Sequence, residues 1–365
     1  MSKKLKTVVI GAGALVFNMH RPALQQDFID LVAVSDINRE AAARNTSEFD
    51  CDVYTDTAQM LADAQPDLAI IITPHPLHAA QTIVCLEAGC HVLVEKPMAV
   101  DVAEADRMLA TAEKADRLIA LNFQQRFRPE VKAAHQLIQN GFIGEIQHVD
   151  MALSWPRTAA YYANGGWRAT WKGEGGGVLM NQAPHDLDLI CHLLGQPKKV
   201  YAWTRTLLQT IEVEDTIQAM MEWPNGGMGS IHISTAEGKR PYRLEIIGTK
   251  GTLNIAQGSI ECHLFDEDIR DTITKSSEGF PQIKAHPYKV ELPDGSGDHV
   301  AVYQNLRDAI LEGKPLKADG KQGIQSLELA NAMIYSSHHK KEVDLPLDRE
   351  AYSNLLKMLQ DGVYQ

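Results

Sequence analysis

The sequence predicts an α/β chain in which a doubly wound parallel sheet is followed by an α+β domain with an open, mainly antiparallel sheet. Three observations carry this. Up to residue 122, short apolar runs alternate with helix-length segments, the pattern of a parallel sheet with crossover helices. Beyond position 200 the strands lengthen and hairpin signals appear, as in Pro224-Asn225-Gly226-Gly227 between two alternating runs, which points to antiparallel pairing. Between these regimes Phe123-Gln124-Gln125-Arg126-Phe127-Arg128-Pro129 reads as a linker. Residues 1–122 and 123–365 are therefore expected to form two domains.

The first half is organised around His91-Val92-Leu93-Val94-Glu95-Lys96-Pro97. Its β-branched apolar run, bounded by Gly89 and Pro97, predicts a buried parallel strand. Ligands in such sheets sit outside the carboxyl ends of the strands, so Lys96 is delivered to a binding crevice. Pro97 has no amide hydrogen and a fixed φ, and it ends the ladder there.

Thr7 to Ile10 predicts the first strand, followed by Gly11-Ala12-Gly13-Ala14. Two glycines after a strand allow a tight turn and close approach to a pyrophosphate at the next helix N-terminus. Val16 stands where a third glycine of the dinucleotide fingerprint belongs. Leu31 to Asp36 reads as a second strand, ending in an acid 25 positions beyond Gly11. An acid there accepts bonds from ribose hydroxyls and repels a 2′-phosphate, which favours NAD over NADP. Arg39 is close enough to offer a phosphate partner, so NADP stays open.

Alternation continues with a helix over Asp56 to Ala64, a strand over Leu68 to Thr73, a helix over Leu77 to Ala88 and the Lys96 strand. Asp101-Val102-Ala103-Glu104 has capping-box spacing and starts a helix to about Ala115, before a strand over Leu118 to Asn122. In Thr73-Pro74-His75-Pro76-Leu77-His78 two histidines stand three apart, with no neighbouring acid or cysteine to complete a metal set. We read it as a proline-shaped loop flanking a cofactor, and expect no metal.

In the second half, a helix near Glu130 to Gln139 precedes strands over Ile146 to Ser154, Thr216 to Trp223, Met228 to Thr235, Leu244 to Gly248 and Thr252 to Ile255, read as an antiparallel meander. Asp266 to Pro287 lacks apolar periodicity and reads as a loop; helices follow near His299 to Glu312, Gln322 to His339 and Arg349 to Leu359. Within Gly175 to Leu189, the residues Asn181, His185 and Asp188 are spaced i, i+4, i+7, one face of a helix. Pro184 is expected to kink that helix. A histidine and a carboxamide one turn apart form a proton-handling candidate; alone, His185 also reads as a structural histidine.

With 44% hydrophobic residues in 365, the chain can bury a large core. Its 35 basic residues are scattered among 47 acidic ones, net charge −12, which argues against a nucleic-acid partner. The five cysteines lack C-x-x-C spacing and fit a reducing cytosol. The basic start Ser2-Lys3-Lys4-Leu5-Lys6 is read as leading into a strand rather than as an export signal, since Gly11 and Gly13 break the apolar stretch. No run is long enough to span a membrane.

Gly11-Ala12-Gly13, Asp36, Thr73-Pro74, Glu95-Lys96-Pro97, Trp167-Arg168, the Gly175 to Leu189 block and Glu245 to Gly251 together resemble the Gfo/Idh/MocA family of sugar and cyclitol oxidoreductases. The resemblance spans nearly the whole chain. It implies a Rossmann domain, a sheet domain that often forms the subunit interface of a homodimer or homotetramer, and NAD or NADP in the cleft. It places Lys96 on the reacting hydroxyl, His185 as acid/base, and Asn181 where many members carry Asp. The implied cofactor contacts, with those read above, are Gly11, Gly13, Ala14, Asp36, Arg39, Thr73, Pro74, His78, Glu95, Lys96, Gln124, Trp167 and Arg168. The expected activity is hydride transfer between a nicotinamide and a secondary alcohol or ketone of a sugar, polyol or cyclitol. A glycosidase using transient oxidation would differ in regenerating its NAD, and a non-catalytic sensor would show no hydride transfer.

Overall fold

The computed structural model describes residues 3–13, 15–163 and 166–363. Six strands form the first sheet: β1 (Leu5–Ile10), β2 (Ile29–Ser35), β3 (Asp52–Tyr54), β4 (Leu68–Ile71), β5 (His91–Val94) and β6 (Ile119–Leu121). Every pairing is parallel and the spatial order is β3-β2-β1-β4-β5-β6. The apolar runs are continuous because helices cover both faces: Val8, Val9, Ile70, Ile71, Val92 and Leu93 are fully buried. The order reverses between β1 and β4, which opens a crevice at their carboxyl ends.

Gly11 makes the turn out of β1 at φ +100°, where a Cβ would lie 2.9 Å from the Ile72 carbonyl carbon; the chain can pass there only without a side chain. The helix after β5 begins as the spacing predicts. Asp101 accepts from the Ala103 amide at 2.8 Å and the helix runs Val102–Ala115.

The second sheet has nine strands: β7 (Ile146–Ser154), β8 (Lys199–Arg205), β9 (Thr216–Glu222), β10 (Met228–Ser234), β11 (Arg243–Gly248), β12 (Gly251–Ala256), β13 (Ser259–Phe265), β14 (Ala285–Tyr288) and β15 (Val343–Asp344). Their order is β14-β13-β12-β11-β7-β10-β9-β8-β15. The expected single meander is two meanders joined by β7, which lies antiparallel to β11 and parallel to β10. Alternation within a strand fixes which side chains face the core, not which strand lies beside it, and β7 inserts from far earlier in the chain.

Residues 266–287, expected as loop, contain a helix, Ile269–Lys275, and most of β14. Asp268 caps that helix through the Arg270 amide, yet none of its residues is buried, and every residue of β14 is exposed. Neither element shows the apolar period that burial imposes.

The helix Gly320–His339 packs against β8, against Pro184–Leu194 and against Val102–Ala115. The helix His299–Glu312 returns to the first sheet's layer, where Val302, Tyr303 and Leu306 share a core with Leu5, Val9 and Phe17. Among the described residues no helix is long and apolar enough to cross a membrane.

Candidate active site

A cavity of about 300 Å³ lies at the carboxyl ends of the first sheet's strands. The β4 end contributes Thr73 and Pro74, β5 contributes Glu95 and Lys96, and the segment after β6 contributes Asn122 and Gln124. Trp167, Arg168, Asn181 and His185 close it from the other side, and His299 lines it beside Glu95. A more open groove of about 700 Å³, lined by Arg126, His135, His192 and Lys317, holds none of the residues expected in the site.

Lys96 stands two residues beyond Val94, the last paired residue of β5, and its Nζ donates to the Asn181 carbonyl at 2.6 Å. Burial lowers its pKa, while the charges of Glu95 and Glu174 oppose the shift. His185 stands at the second position of the helix Pro184–Leu194, with its ring 5.9 Å from Phe123 edge-on. Burial, followed by the charge of Lys96, pushes its pKa down to about 3. Its buried Nδ1 has no hydrogen-bond partner. Near neutral pH the imidazole is therefore uncharged and able to accept a proton.

Pro184 does not kink one long helix. It occupies the first turn of a second one, because a proline needs no amide partner there. Val178–Asn181 and Pro184–Leu194 are separate helices, so Asn181, His185 and Asp188 do not share one regular face. Asn181 and His185 reach the cavity, whereas Asp188 turns away and forms a buried fork with Arg126 at 2.5 and 2.8 Å. The Asn181 amide donates to Glu174, whose other carboxylate oxygen takes the Ala169 amide at 2.7 Å. Burial raises the Glu174 pKa, partly offset by these two bonds.

Glu95 is a hub. Its carboxylate accepts from Asn122 and from the Lys96 amide at 3.1 Å, and lies 2.9 Å from His20 Nε2. His299 Nε2 is 3.8 Å away, and Tyr303 Oη is 2.8 Å from the other His20 nitrogen. Burial alone would raise its pKa, but the hydrogen bond to His20 and the nearby His299 hold it well below the usual range. Potential ligand atoms of His20, Glu95 and His299 lie within 4.8 Å of one another. The hydrogen bonds already occupying Glu95 define this cluster as a buried polar anchor for the end of β5. His78 has its ring nitrogens 2.7 and 2.8 Å from the Pro97 and Thr73 carbonyls, so it ties the β4 and β5 loops together.

At the β1 turn, the Gly13 amide donates to Asp36 at 2.8 Å, and a Cβ on Gly13 would meet that carboxylate at 2.8 Å. Arg39 is exposed at the start of the helix Arg39–Asn45 and does not line the cavity. Ala14 lies outside the described residues.

These residues fit a nicotinamide dinucleotide. The glycine turn brings bare backbone to the crevice, Asp36 presents a carboxylate at the β2 end, and among the described residues four buried polar atoms of the cavity lining are unpartnered: Thr73 Oγ1, Asn122 Oδ1, Gln124 Oε1 and His185 Nδ1. Buried polar atoms are ordinarily paired, so groups of this kind mark where a polar ligand completes the network. Sequence reasoning missed Glu174, His20, His299 and Asn122 as site residues. The one cue for Glu174 was its position immediately before three glycines.

A model of the oxidoreductase family with an NAD-binding Rossmann fold matches residues 5–123, and one of the GFO/IDH/MocA C-terminal domain matches residues 131–254. The WlbA dehydrogenase of Chromobacterium violaceum, solved with NADH and UDP-GlcNAcA, is 31% identical with a TM-score of 0.83, covering 95% of this chain and 98% of that one. The D-glucoside 3-dehydrogenase of Escherichia coli is 26% identical over 94% of this chain and 98% of its own length. The NADP-dependent scyllo-inositol 2-dehydrogenase IolW of Bacillus subtilis is 24% identical over 93% of this chain and 96% of its own.

Proposed function

Because this chain belongs to the GFO/IDH/MocA oxidoreductase family, whose N-terminal half is an NAD-binding Rossmann fold, we propose that it transfers hydride between a nicotinamide and a secondary alcohol or ketone of a sugar, polyol or cyclitol. The observation that carries the reading is that Lys96 and His185, from opposite walls, line one cavity beside the glycine turn. The substrate class rests on relatives that act on a D-glucoside and on scyllo-inositol.

Gly11, Gly13, Thr73, Pro74 and Gln124 cradle the dinucleotide, Asp36 takes the adenosine ribose, and Trp167 and Arg168 flank the nicotinamide end; NAD is preferred, with NADP the alternative. When bound, the nicotinamide accepts or returns the hydride. The Lys96 ammonium stabilises negative charge on the reacting oxygen, and neutral His185 takes the proton that leaves it, help typically worth about 10²- to 10⁴-fold. Asn181 acts indirectly: its carbonyl aims Lys96 and its amide links that wall to Glu174. We place the cofactor half in residues 1–122 and the substrate half in residues 123–365.

Free cysteines at positions 51, 85, 90, 191 and 262 support a cytoplasmic setting. Trp203, Met220 and Met228, exposed on neighbouring strands, support a homodimer or homotetramer. The test is a panel of sugars, inositols and their keto forms, followed by nicotinamide absorbance with both cofactors. Reduction or oxidation of at least one member is expected; binding of cofactor with no hydride transfer to any would refute the reading.

A further inference from the structure

The segment between β7 and the Trp167-Arg168 pair carries a second arginine with no assigned task. Arg157 is fixed at its backbone, where its amide donates to the Thr235 carbonyl at 3.0 Å and its carbonyl accepts from Gln209 at 2.7 Å. Its guanidinium lies 5.2 Å from the centre of the Tyr161 ring, and the Arg168 guanidinium lies 4.7 Å from the same centre. Tyr161 also accepts from Arg168 at 2.6 Å and from Gln182 at 3.2 Å, and donates to Asn181 at 3.4 Å. This tyrosine therefore joins both arginines to Asn181, whose backbone carbonyl accepts from Lys96.

Among the described residues neither arginine forms an ion pair. Among the described residues Arg157 Nε is moreover buried with no hydrogen-bond partner, and the only acceptor its guanidinium meets is its neighbour's carbonyl, Pro156 at 3.3 Å. A buried guanidinium donor without an acceptor is costly, and a guanidinium is shaped for the two oxygens of a carboxylate or phosphate. The nearby carboxylate is already engaged, because Glu174 is held by Asn181 and the Ala169 amide. The charges of Arg168 and Arg157 act on Lys96 in the direction that disfavours its ammonium, after burial itself. Lys96 and Arg168 line the cavity, and Arg157 stands beside them on the Tyr161 ring, close enough for its charge to act on Lys96.

We propose that Arg157, stacked on Tyr161 beside Arg168, is a specificity subsite for an oxyanion on the substrate, so that the preferred substrate is an acidic sugar or cyclitol carrying a carboxylate or phosphate. The proposal rests on the reading of the cleft as a sugar or cyclitol oxidoreductase and narrows its substrate. An anion seated there supplies the acceptor that the Arg157 guanidinium lacks.

The test uses the NADH-loaded protein, which cannot oxidise an alcohol, titrated by calorimetry with methyl glucoside, methyl glucuronide and glucose 6-phosphate. At least one anion is expected to bind at least about 10-fold tighter than the neutral glycoside, the scale of one charge-assisted hydrogen bond. The two anions distinguish a carboxylate from a phosphate. Arg157→Gln should erase that preference and Arg157→Lys should retain part of it, with NADH affinity unchanged in both. Equal or better binding of the neutral glycoside, no binding of either anion at millimolar concentration, or a preference surviving in R157Q would overturn the proposal. So would an R157Q effect on NADH affinity alone. Hydride transfer with a neutral saccharide, alongside any of those results, would leave the oxidoreductase reading standing and remove only the anion subsite.

Discussion

The two walls of the cleft are built by different means. On the first, Thr73, Glu95 and Lys96 lie within two residues of the ends of strands β4 and β5, so the register of a buried parallel sheet sets where each side chain starts. On the second, Trp167 to Asn181 runs through two helices of four residues, too brief to hold themselves in place, before His185 opens the longer helix Pro184–Leu194. Glu174 and Glu214 do that work instead. Glu214 takes the Val178 amide on its backbone carbonyl at 2.9 Å and the Leu179 amide on its carboxylate at 3.0 Å. Backbone pairing makes one wall; buried carboxylates make the other.

The sharpest way to break this contrast is at His185, the chemical group of the side-chain-built wall. His185→Gln should lower kcat by about 10²- to 10⁴-fold, with cofactor affinity unchanged. The wild-type imidazole, with its pKa near 3, is already neutral across the physiological range. The rate of alcohol oxidation should therefore show no acidic limb at the ordinary histidine value of about 6.5. A limb at that position that disappears in the variant would show that His185 is protonated near neutrality, contrary to its burial.

A smaller effect is expected at Glu214, whose carboxyl burial raises to about 7. In the unfolded chain this group ionises near the ordinary glutamate value of 4.5. As pH rises from there to about 7 the unfolded state loses its proton first, and folding stability falls. Glu214→Gln keeps the acceptor for Leu179 without the charge. It should be more stable than wild type above pH 7, by up to about 3 kcal/mol, and should lose that advantage near pH 4. Chemical denaturation at the two pH values checks this.

Asn181→Asp replaces a donor to Glu174 with a second carboxylate. Like charges at that separation should cost about 2 kcal/mol at neutral pH, with the loss recovered in the Asn181→Asp, Glu174→Gln double variant. If the single variant is as stable as wild type, Glu174 is not the fixed anchor of that wall. The smallest effect belongs to the backbone-built side. Asp36→Ala should narrow the preference for NAD over NADP by about 10-fold, read from KM for each cofactor.

The same division explains what the sequence reveals. Strand β5, the glycine turn and Asp36 are legible because a buried parallel strand leaves a continuous apolar run and its end is punctuated by Gly or Pro. The pairing of β7 with β10 was not, because period-two alternation carries no information about neighbours. Lys96 and His185 could be placed by motif. Asn181 could be placed with them, but the groups that hold this wall could not: Glu174 and Glu214 reach it by side chains from segments with no shared periodicity, and His299 arrives from a helix more than 200 residues after Glu95. The one-face reading of Asn181, His185 and Asp188 failed on Pro184, which starts a helix as readily as it bends one.

The account depends on Lys96 and His185 serving one reacting oxygen, and a double-mutant cycle measures that directly. Single-turnover hydride transfer would be recorded for Lys96→Ala, His185→Gln and the double variant, with cofactor affinity measured alongside. Groups acting on one atom are strongly non-additive, so the double variant should be scarcely slower than the slower single variant, with cofactor affinity preserved in all three. Rate losses that multiply, or a cofactor affinity that collapses with Lys96→Ala, would contradict it.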